Sequence, residues 1–429
     1  MGGHTDETVT VPDQKPRRRT NPLALGGILA GLVVGAFLAH WGYGLRNHFY
    51  DLMVYRDAMR WWNDGNFLYD FWQPDATQGR LEFTYPPFAA ELLRPLGWLT
   101  EAQAAALFVL TTLGSLAVTV WLLVRPLADR YAWPRWFTFG VAFVLMTGLE
   151  PIRHTFDFGQ INAILWLLIV VDLLVLATSG SRFAGVGIGV ATAIKLVPGI
   201  FILYLLVARR WRAAGVATGT AVLATGLAAA LAPRESWSFW TERVLHGEGV
   251  GRLDYAFNQS LMGLLARLAA PAQPNPVIWL ALALPLLVVG LWRAGRAAAA
   301  GDHVAGLTIA GLTGALVSPV TWVHHIFWFV PAIVVLVAEG LGPPGGTLRA
   351  RLGPLVYASV IYVTATVSVV ALWNFELGQP GGFAEFVLSN WFFWLMLSLL
   401  VFLPIRPPVH ESRDLAPVSH GNSRPSKGR

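Results

Sequence analysis

Apolar stretches of roughly 17 to 22 residues, each long enough to cross about 30 Å of hydrocarbon as a helix, recur along the whole of this 429-residue chain. A chain with that pattern cannot hide its apolar surface in one water-soluble core. Hydrophobic residues make up 55% of it and charged residues only 13%, so lipid is the solvent that fits most of its surface. Twelve segments qualify as candidate spans: 23–41, 104–124, 136–149, 161–178, 183–193, 196–208, 213–231, 276–292, 303–317, 326–340, 353–372 and 387–404. The predicted fold class is an all-α integral membrane protein with about 12 transmembrane helices, both termini cytoplasmic and a long first external loop.

Charge sets that orientation. Arg17, Arg18 and Arg19 precede the first segment, which is read as a retained span and not as a cleaved leader. Residues 183–208 are the difficult stretch, because they read either as one helix or as two short pieces broken near Lys195 and Pro198. The broken reading keeps Arg209, Arg210 and Arg212 on the cytoplasmic side, and with it about two thirds of the 31 basic residues fall in cytoplasmic loops and tails. The chain then divides into a cytoplasmic tail at 1–22, a polytopic domain at 23–404 and a polar, disordered cytoplasmic tail at 405–429. The net charge of +6 sits in short clusters between apolar segments, which argues against a nucleic-acid-binding face. Without cysteine there is no disulfide framework, thiolate metal site or cysteine nucleophile.

On this topology the polar motifs gather on the non-cytoplasmic side. Asp51 lies shortly beyond the first span, where a carboxylate can serve as a general base or can cap the following helix. In the same loop Phe83-Thr-Tyr85-Pro-Pro-Phe88 is stiffened by its prolines and offers either a wall for a ligand or an interfacial anchor. Residues 150–162 hold Glu150, Arg153, His154, Thr155, Asp157, Gln160 and Asn162, an expensive collection beside lipid. There, Gln160 and Asn162 suit sugar hydroxyls and Arg153 suits phosphate, while an internally paired loop is the plainer account. Lys195, the lysine inside the apolar body, suits a lipid phosphate or snorkels to the interface. His324 and His325 form an adjacent pair that can hydrogen-bond a leaving phosphate but is poorly placed to share one metal ion. Asn258, Gln259 and the stretch from Asn374 to Gln379 suit acceptor contacts, while ordinary loop polarity is the plainer account, and Asp172, inside a span, is read as a helix-pairing group.

In order, Tyr50-Asp51-Leu-x-Val-Tyr55, Phe83-Thr-Tyr-Pro-Pro-Phe88, Thr155-Phe-Asp-Phe-Gly-Gln-Ile-Asn162, Lys195-Leu-x-Pro198, Phe257-Asn-Gln-Ser260 and Ser318-Pro-x-Thr-Trp-x-His-His325 resemble the actinobacterial mannosyltransferases of glycosyltransferase family 87. The resemblance covers residues 50 to 325 and implies the multi-spanning GT-C architecture and a site on the extracytoplasmic face of the cytoplasmic membrane. It also implies a polyprenyl-phosphate-mannose donor, and an acceptor that is a phosphatidylinositol mannoside or lipomannan, usually joined by an α-1,2 link. By resemblance Asp51 is the catalytic base, and His324 and His325 belong to an active-site loop. Lys195, Arg153, Gln160, Asn162 and Tyr85 are expected on the donor, and Asn258, Gln259 and Tyr55 on the acceptor. The family pattern has threonine directly before the histidine pair, where this chain has Val323 after Thr321-Trp322. No cofactor and no metal are expected. The rival expectations are an arabinosyl or glucosyl transferase of the same architecture and a glycolipid transporter, which would place its polar groups at the midplane.

Overall fold

All twelve apolar segments overlap helices, yet helix length divides them. The computed structural model describes residues 21–43, 48–75, 79–244, 251–342, 347–376 and 381–406. Leaving aside single turns, its elements begin with α1 (Pro22–Tyr43), α2 (Tyr50–Asn63), β1 (Trp72–Asp75), β2 (Gly79–Glu82) and α3 (Pro87–Leu93). Next come α4 (Glu101–Arg130), α5 (Arg135–Thr147), α6 (Glu150–Phe158), α7 (Asn162–Val171), α8 (Val186–Ile194), α9 (Ile200–Val207), α10 (Trp211–Leu231) and α11 (Pro233–Ser238). The chain continues with α12 (Leu261–Ala269), α13 (Pro276–Ala299), α14 (His303–Val317), α15 (Phe329–Leu341), α16 (Leu348–Thr366), α17 (Gly382–Ser389) and α18 (Trp391–Phe402). Among the described residues α4, α10 and α13 are long and apolar enough to cross a membrane, and the pair α17 and α18, bent by 65°, makes a fourth if counted as one span. This is a helical membrane protein with, among the described residues, one small hairpin, in which β1 and β2 pair antiparallel with Trp72 opposite Glu82 and Asp75 opposite Gly79.

Local chemistry explains where two of the helices start. Thr100 opens α4 with a capping box, its hydroxyl accepting from the Gln103 N–H at 3.3 Å while Gln103 Oε1 accepts from the Thr100 N–H at 3.0 Å. Asp302 opens α14 by accepting from the Ala305 N–H at 3.1 Å, and the same carboxylate holds Arg406 at 2.7 Å. That pair anchors the segment following α18 to the helical body.

Burial sorts the apolar helices into lipid-facing and central ones. Leu223 on α10 is 74% exposed and Val288 on α13 is 65% exposed, so these helices turn open apolar faces outward, as lipid contact requires. By contrast α14 is buried on every side from Ala305 to Leu316, which makes it the axis of the bundle. Its small residues let neighbours close in: a Cβ at Gly311 would lie 2.2 Å from the Trp328 ring.

The stretch 183–208 is broken as expected. α8 stops at Ile194, Lys195 is extended with φ −149° and ψ 132°, and a short turn through Pro198 leads into α9. Asp172 pairs helices, as its position suggested: its carboxylate accepts from the N–H groups of Gly185 at 2.6 Å and Ile188 at 2.9 Å, tying the end of α7 to the start of α8. The break at Lys195 turns its side chain toward the loops that follow α6 and α14, and there the candidate site is built.

Candidate active site

The site begins with the way α2 meets α6. Leu52, Tyr55, Met59 and Trp62 are buried along one face of α2, which fixes its rotation and leaves Asp51 in its first turn. Phe49, just before the helix, adopts a left-handed conformation with φ 58°, and its N–H donates to the Asp157 carbonyl at 2.8 Å. At the end of α6, Gly159 has φ +69°, and a Cβ there would come within 2.6 Å of Leu52 Cβ. This close approach sets Gln160 against Asp51, and Gln160 Nε2 donates to Asp51 Oδ2. The carboxylate therefore does not cap α2.

From Asp51 a chain of hydrogen bonds runs in one direction. Gln160 Oε1 accepts from Asn162 Nδ2 at 3.2 Å and from the Tyr55 hydroxyl at 3.1 Å. Asn162 Nδ2 also donates to the His324 carbonyl at 3.2 Å, so its Oδ1 is left to face Lys195 Nζ, 3.1 Å away. Lys195 Nζ in turn lies 2.9 Å from His325 Nε2. At the far end the Trp322 backbone N–H donates to His325 Nδ1 at 3.2 Å. A backbone N–H can only donate, so Nδ1 is unprotonated and the ring proton sits on Nε2, aimed at Lys195. Lys195 then accepts from His325 and donates to Asn162, which only a neutral amine does.

The electrostatics agree with that geometry. Burial brings Lys195 down to about 7, opposed by the charge of Asp51. Burial pushes the Asp51 carboxyl up to about 6, held back by the Gln160 amide and then by Lys195. Both histidines are pushed well below the usual imidazole range, first by burial and second by Lys195, so they are neutral near pH 7.

These groups border a cavity of about 500 Å³ on which Asp51, Tyr55, Tyr85, Gln160, Lys195, His324 and His325 all open. The Tyr85 hydroxyl meets that of Tyr55 at 2.9 Å, and Lys195 Nζ lies 5.3 Å from the centre of the Tyr85 ring. His324 Nε2 is buried and has no hydrogen-bond partner among the described residues. Asn162 stands behind the wall and links Gln160 to Lys195. Arg153 is not on the cavity wall, although its charge reaches His154.

Asn258 and Gln259 were expected on the acceptor and lie elsewhere: neither lines the cavity, and both are fully buried. Asn258 Nδ2 donates to the carbonyls of Leu253 at 3.1 Å and Pro319 at 3.3 Å, and its Oδ1 accepts from the Thr321 N–H at 3.0 Å. Gln259 Oε1 accepts from the N–H groups of Phe392 and Phe393 at 3.1 and 3.2 Å, while its Nε2 donates to the Ser389 carbonyl at 2.8 Å. With both amides spent on backbone groups, this motif fastens loops together and leaves nothing for a ligand. Thr321 is spent likewise, its hydroxyl donating to the Ala315 carbonyl at 2.6 Å. Of the stretch from Asn374 to Gln379, Asn374 bonds Val370 and Ser389, and Gln379 lies outside the described residues.

Several cavity residues were not among the expected site residues. Asp75 comes from the end of β1, and the Tyr50 hydroxyl at the start of α2 donates to the neighbouring Pro74 carbonyl at 2.8 Å. Arg243 contributes a second cation, held 2.7 Å from Glu82 on β2. His154 lines the cavity with its Nε2 3.6 Å from Glu150, one turn back on α6. The i, i+4 spacing of Glu150 and His154 could have disclosed that pair; Asp75 and Arg243 carry no comparable local signal.

The model of glycosyltransferase family 87 matches residues 83–319. A polyprenol-phosphate-mannose-dependent alpha-(1-2)-phosphatidylinositol mannoside mannosyltransferase of Mycobacterium tuberculosis is 32% identical over 329 residues, 73% of this chain and 74% of that protein. The protein of the same description in Mycolicibacterium smegmatis is 35% identical over 305 residues, 66% of this chain and 69% of its own length. A phosphatidylinositol pentamannoside mannosyltransferase of M. smegmatis is 30% identical over 359 residues, covering 81% of this chain and 85% of that protein. No solved structure matches. The family match begins after Asp51 and ends before His324, so those two ends of the site rest on geometry.

Proposed function

The chain belongs to glycosyltransferase family 87, and from that premise we propose that it moves mannose from polyprenyl-phosphate-mannose to a mannosylated glycolipid, a phosphatidylinositol mannoside or lipomannan, forming α-1,2 links with inversion. The observation that carries the reading is the directed chain from Asp51 through Gln160 and Asn162 to Lys195 and His325, which brings a carboxylate and an amine–imidazole pair to one cavity and so supports a base and a phosphate-binding pair.

In this reaction the acceptor hydroxyl gives its proton to Asp51 as its oxygen attacks the anomeric carbon. The bond from that carbon to the phosphate oxygen breaks on the opposite side, so a β-linked donor yields an α-linked product and polyprenyl phosphate departs. Gln160 keeps the carboxylate aimed and partly offsets its burial. The negative charge of an arriving phosphate favours uptake of a solvent proton by Lys195, and the phosphate also accepts a hydrogen bond from the Nε2–H of His325. Charge that grows on the leaving oxygen thus meets donors already in place. Tyr55 and Tyr85 close the cavity beside Gln160, and Arg153 acts from outside it.

The basic clusters between the helices support an arrangement of about twelve spans in the cytoplasmic membrane, with both termini cytoplasmic and the cavity open to the extracytoplasmic side. The donor is then met with its chain in the bilayer and its sugar at the water interface.

The test is transfer of radiolabelled mannose from polyprenyl-phosphate-mannose to a mannosylated phosphoinositide by purified wild type and Asp51→Asn. The expected result is transfer by wild type and at least a 100-fold loss in the variant, with donor binding retained. Undiminished transfer by Asp51→Asn would remove Asp51 as the base. No transfer by a folded wild type to any mannosylated lipid would overturn the mannosyltransferase reading.

A further inference from the structure

Besides the polar chain, the cavity has a wall of a different kind. Tyr255, Phe257 and Trp322 line it and are only half-buried. Tyr255 packs on Phe257 with ring centres 5.4 Å apart and on Trp322 at 6.2 Å. Phe257 meets His154 at 5.3 Å, and Phe158 joins this surface to His324 at 5.6 Å.

The Phe-Asn-Gln-Ser motif explains why these rings stand together. Asn258 forms an isolated antiparallel bridge with Trp322, the Gln259 N–H donates to the Thr321 carbonyl at 2.8 Å, and the Ser260 hydroxyl donates to the Pro319 carbonyl at 2.9 Å. The buried amides thus fasten two distant loops so that Phe257 from one and Trp322 from the other share a surface. A fully spent polar clamp behind three half-open rings is costly unless the rings have a use.

We propose that Tyr255, Phe257 and Trp322 form the subsite for the acceptor glycan, stacking on the C–H faces of its mannose rings. The proposal rests on the mannosyltransferase reading and adds to it the part of the cavity that selects the acceptor. Aromatic faces bordered by groups that bond hydroxyls suit a carbohydrate, which is amphipathic in that way. A polyprenyl chain would set apolar groups against Asp51, Lys195 and Arg243, which line the same cavity. The donor sugar is one ring long and is confined between Lys195, which takes its phosphate, and Asp51. An acceptor of several mannose units needs a surface leading away from that point, and this wall, on the same cavity as Asp51, supplies it.

The experiment uses the full-length protein in lipid nanodiscs, with a synthetic octyl dimannoside as acceptor and polyprenyl-phosphate-mannose as donor. Phe257→Leu and Trp322→Leu are expected to raise the KM for the dimannoside about 10-fold or more, with donor KM within about twofold of wild type. Phe257→Tyr and Trp322→Phe, which keep a ring, are expected to stay within about threefold in acceptor KM. A retained donor KM shows that the leucine variants are folded. A rise in donor KM instead, or an acceptor KM that does not move, would overturn the assignment. Equilibrium binding of tritiated octyl dimannoside without donor separates the two readings. If wild type binds it, the leucine variants do not and no transfer occurs, the subsite stands while the transfer reading fails; equal binding by wild type and leucine variants overturns the subsite.

Discussion

The pairs Gln160 with Asn162 and Asn258 with Gln259 are made of the same two side chains, yet they do opposite work. The first pair uses each amide as a relay between titratable groups, passing polarity from Asp51 to Lys195. The second pair uses nearly all of its amide capacity on main-chain groups of Leu253, Pro319, Thr321, Ser389, Phe392 and Phe393. What divides them is the nature of the opposite partner. An amide facing a titratable side chain can tune it, whereas an amide facing a peptide group fixes where that peptide lies.

The contrast can be broken by paired substitutions. Gln160→Ala removes a donor from the base while leaving the fold of the loop intact, so kcat/KM should fall about 100-fold with little change in melting temperature. Asn258→Ala leaves several buried backbone groups without partners and should cost about 2 to 4 kcal/mol of stability, read by thermal unfolding in detergent. If Gln160→Ala proves mainly destabilising, or if Asn258→Ala spares stability and abolishes transfer, the two pairs have been assigned the wrong way round.

Protonation sharpens the same contrast. Asp51 acts as a base only when ionised, so with its carboxyl at about 6 the rate should rise as pH climbs through that value. Lys195, at about 7 in the free site, must be charged to hold phosphate, so kcat/KM should fall again as pH rises past neutrality. The profile is thus a narrow bell. Lys195→Arg keeps its charge at every accessible pH and should erase the alkaline limb, although its bulk lowers the maximum. Gln160→Ala should move the acid limb to higher pH, because the lost N–H had favoured the ionised carboxylate. No comparable shift is expected from Gln259→Ala, whose amide touches no titratable group in the cavity.

Much of this was legible in the sequence, for reasons that also explain what was not. Helix positions could be read because apolar length and the capping residues act locally, and the break before Pro198 follows from a missing donor and a basic cluster. The all-round burial of α14 could not be read, because an apolar face looks the same whether it meets lipid or protein. The β1–β2 hairpin escaped because two four-residue strands within a long loop carry little periodic signal. Asp51, Gln160, Lys195 and the histidine pair stood out as polar groups in apolar surroundings, where each is costly. Asp75 and Arg243 sit in segments where charge is ordinary, and only the folding of the hairpin onto the region after α11 brings them to the cavity. The split between the two amide pairs was invisible, since the deciding backbone groups lie about 60 residues or more away in sequence.

The smallest expected effect tests the boundary between clamp and cavity. Thr321 stands three residues before His324, where a hydroxyl beside the histidine loop could be taken for a substrate contact. Its hydroxyl instead donates to the Ala315 carbonyl at 2.6 Å, in the last turn of α14, and the side chain is fully buried. Thr321→Val keeps the shape and removes that one bond, so it should cost about 1 kcal/mol of stability and leave the KM for either substrate within about twofold. Thermal unfolding and steady-state kinetics on the same preparation read both quantities. A lost transfer rate with unchanged stability would mean that the hydroxyl faces the substrate, and the clamp would then reach into the site it supports.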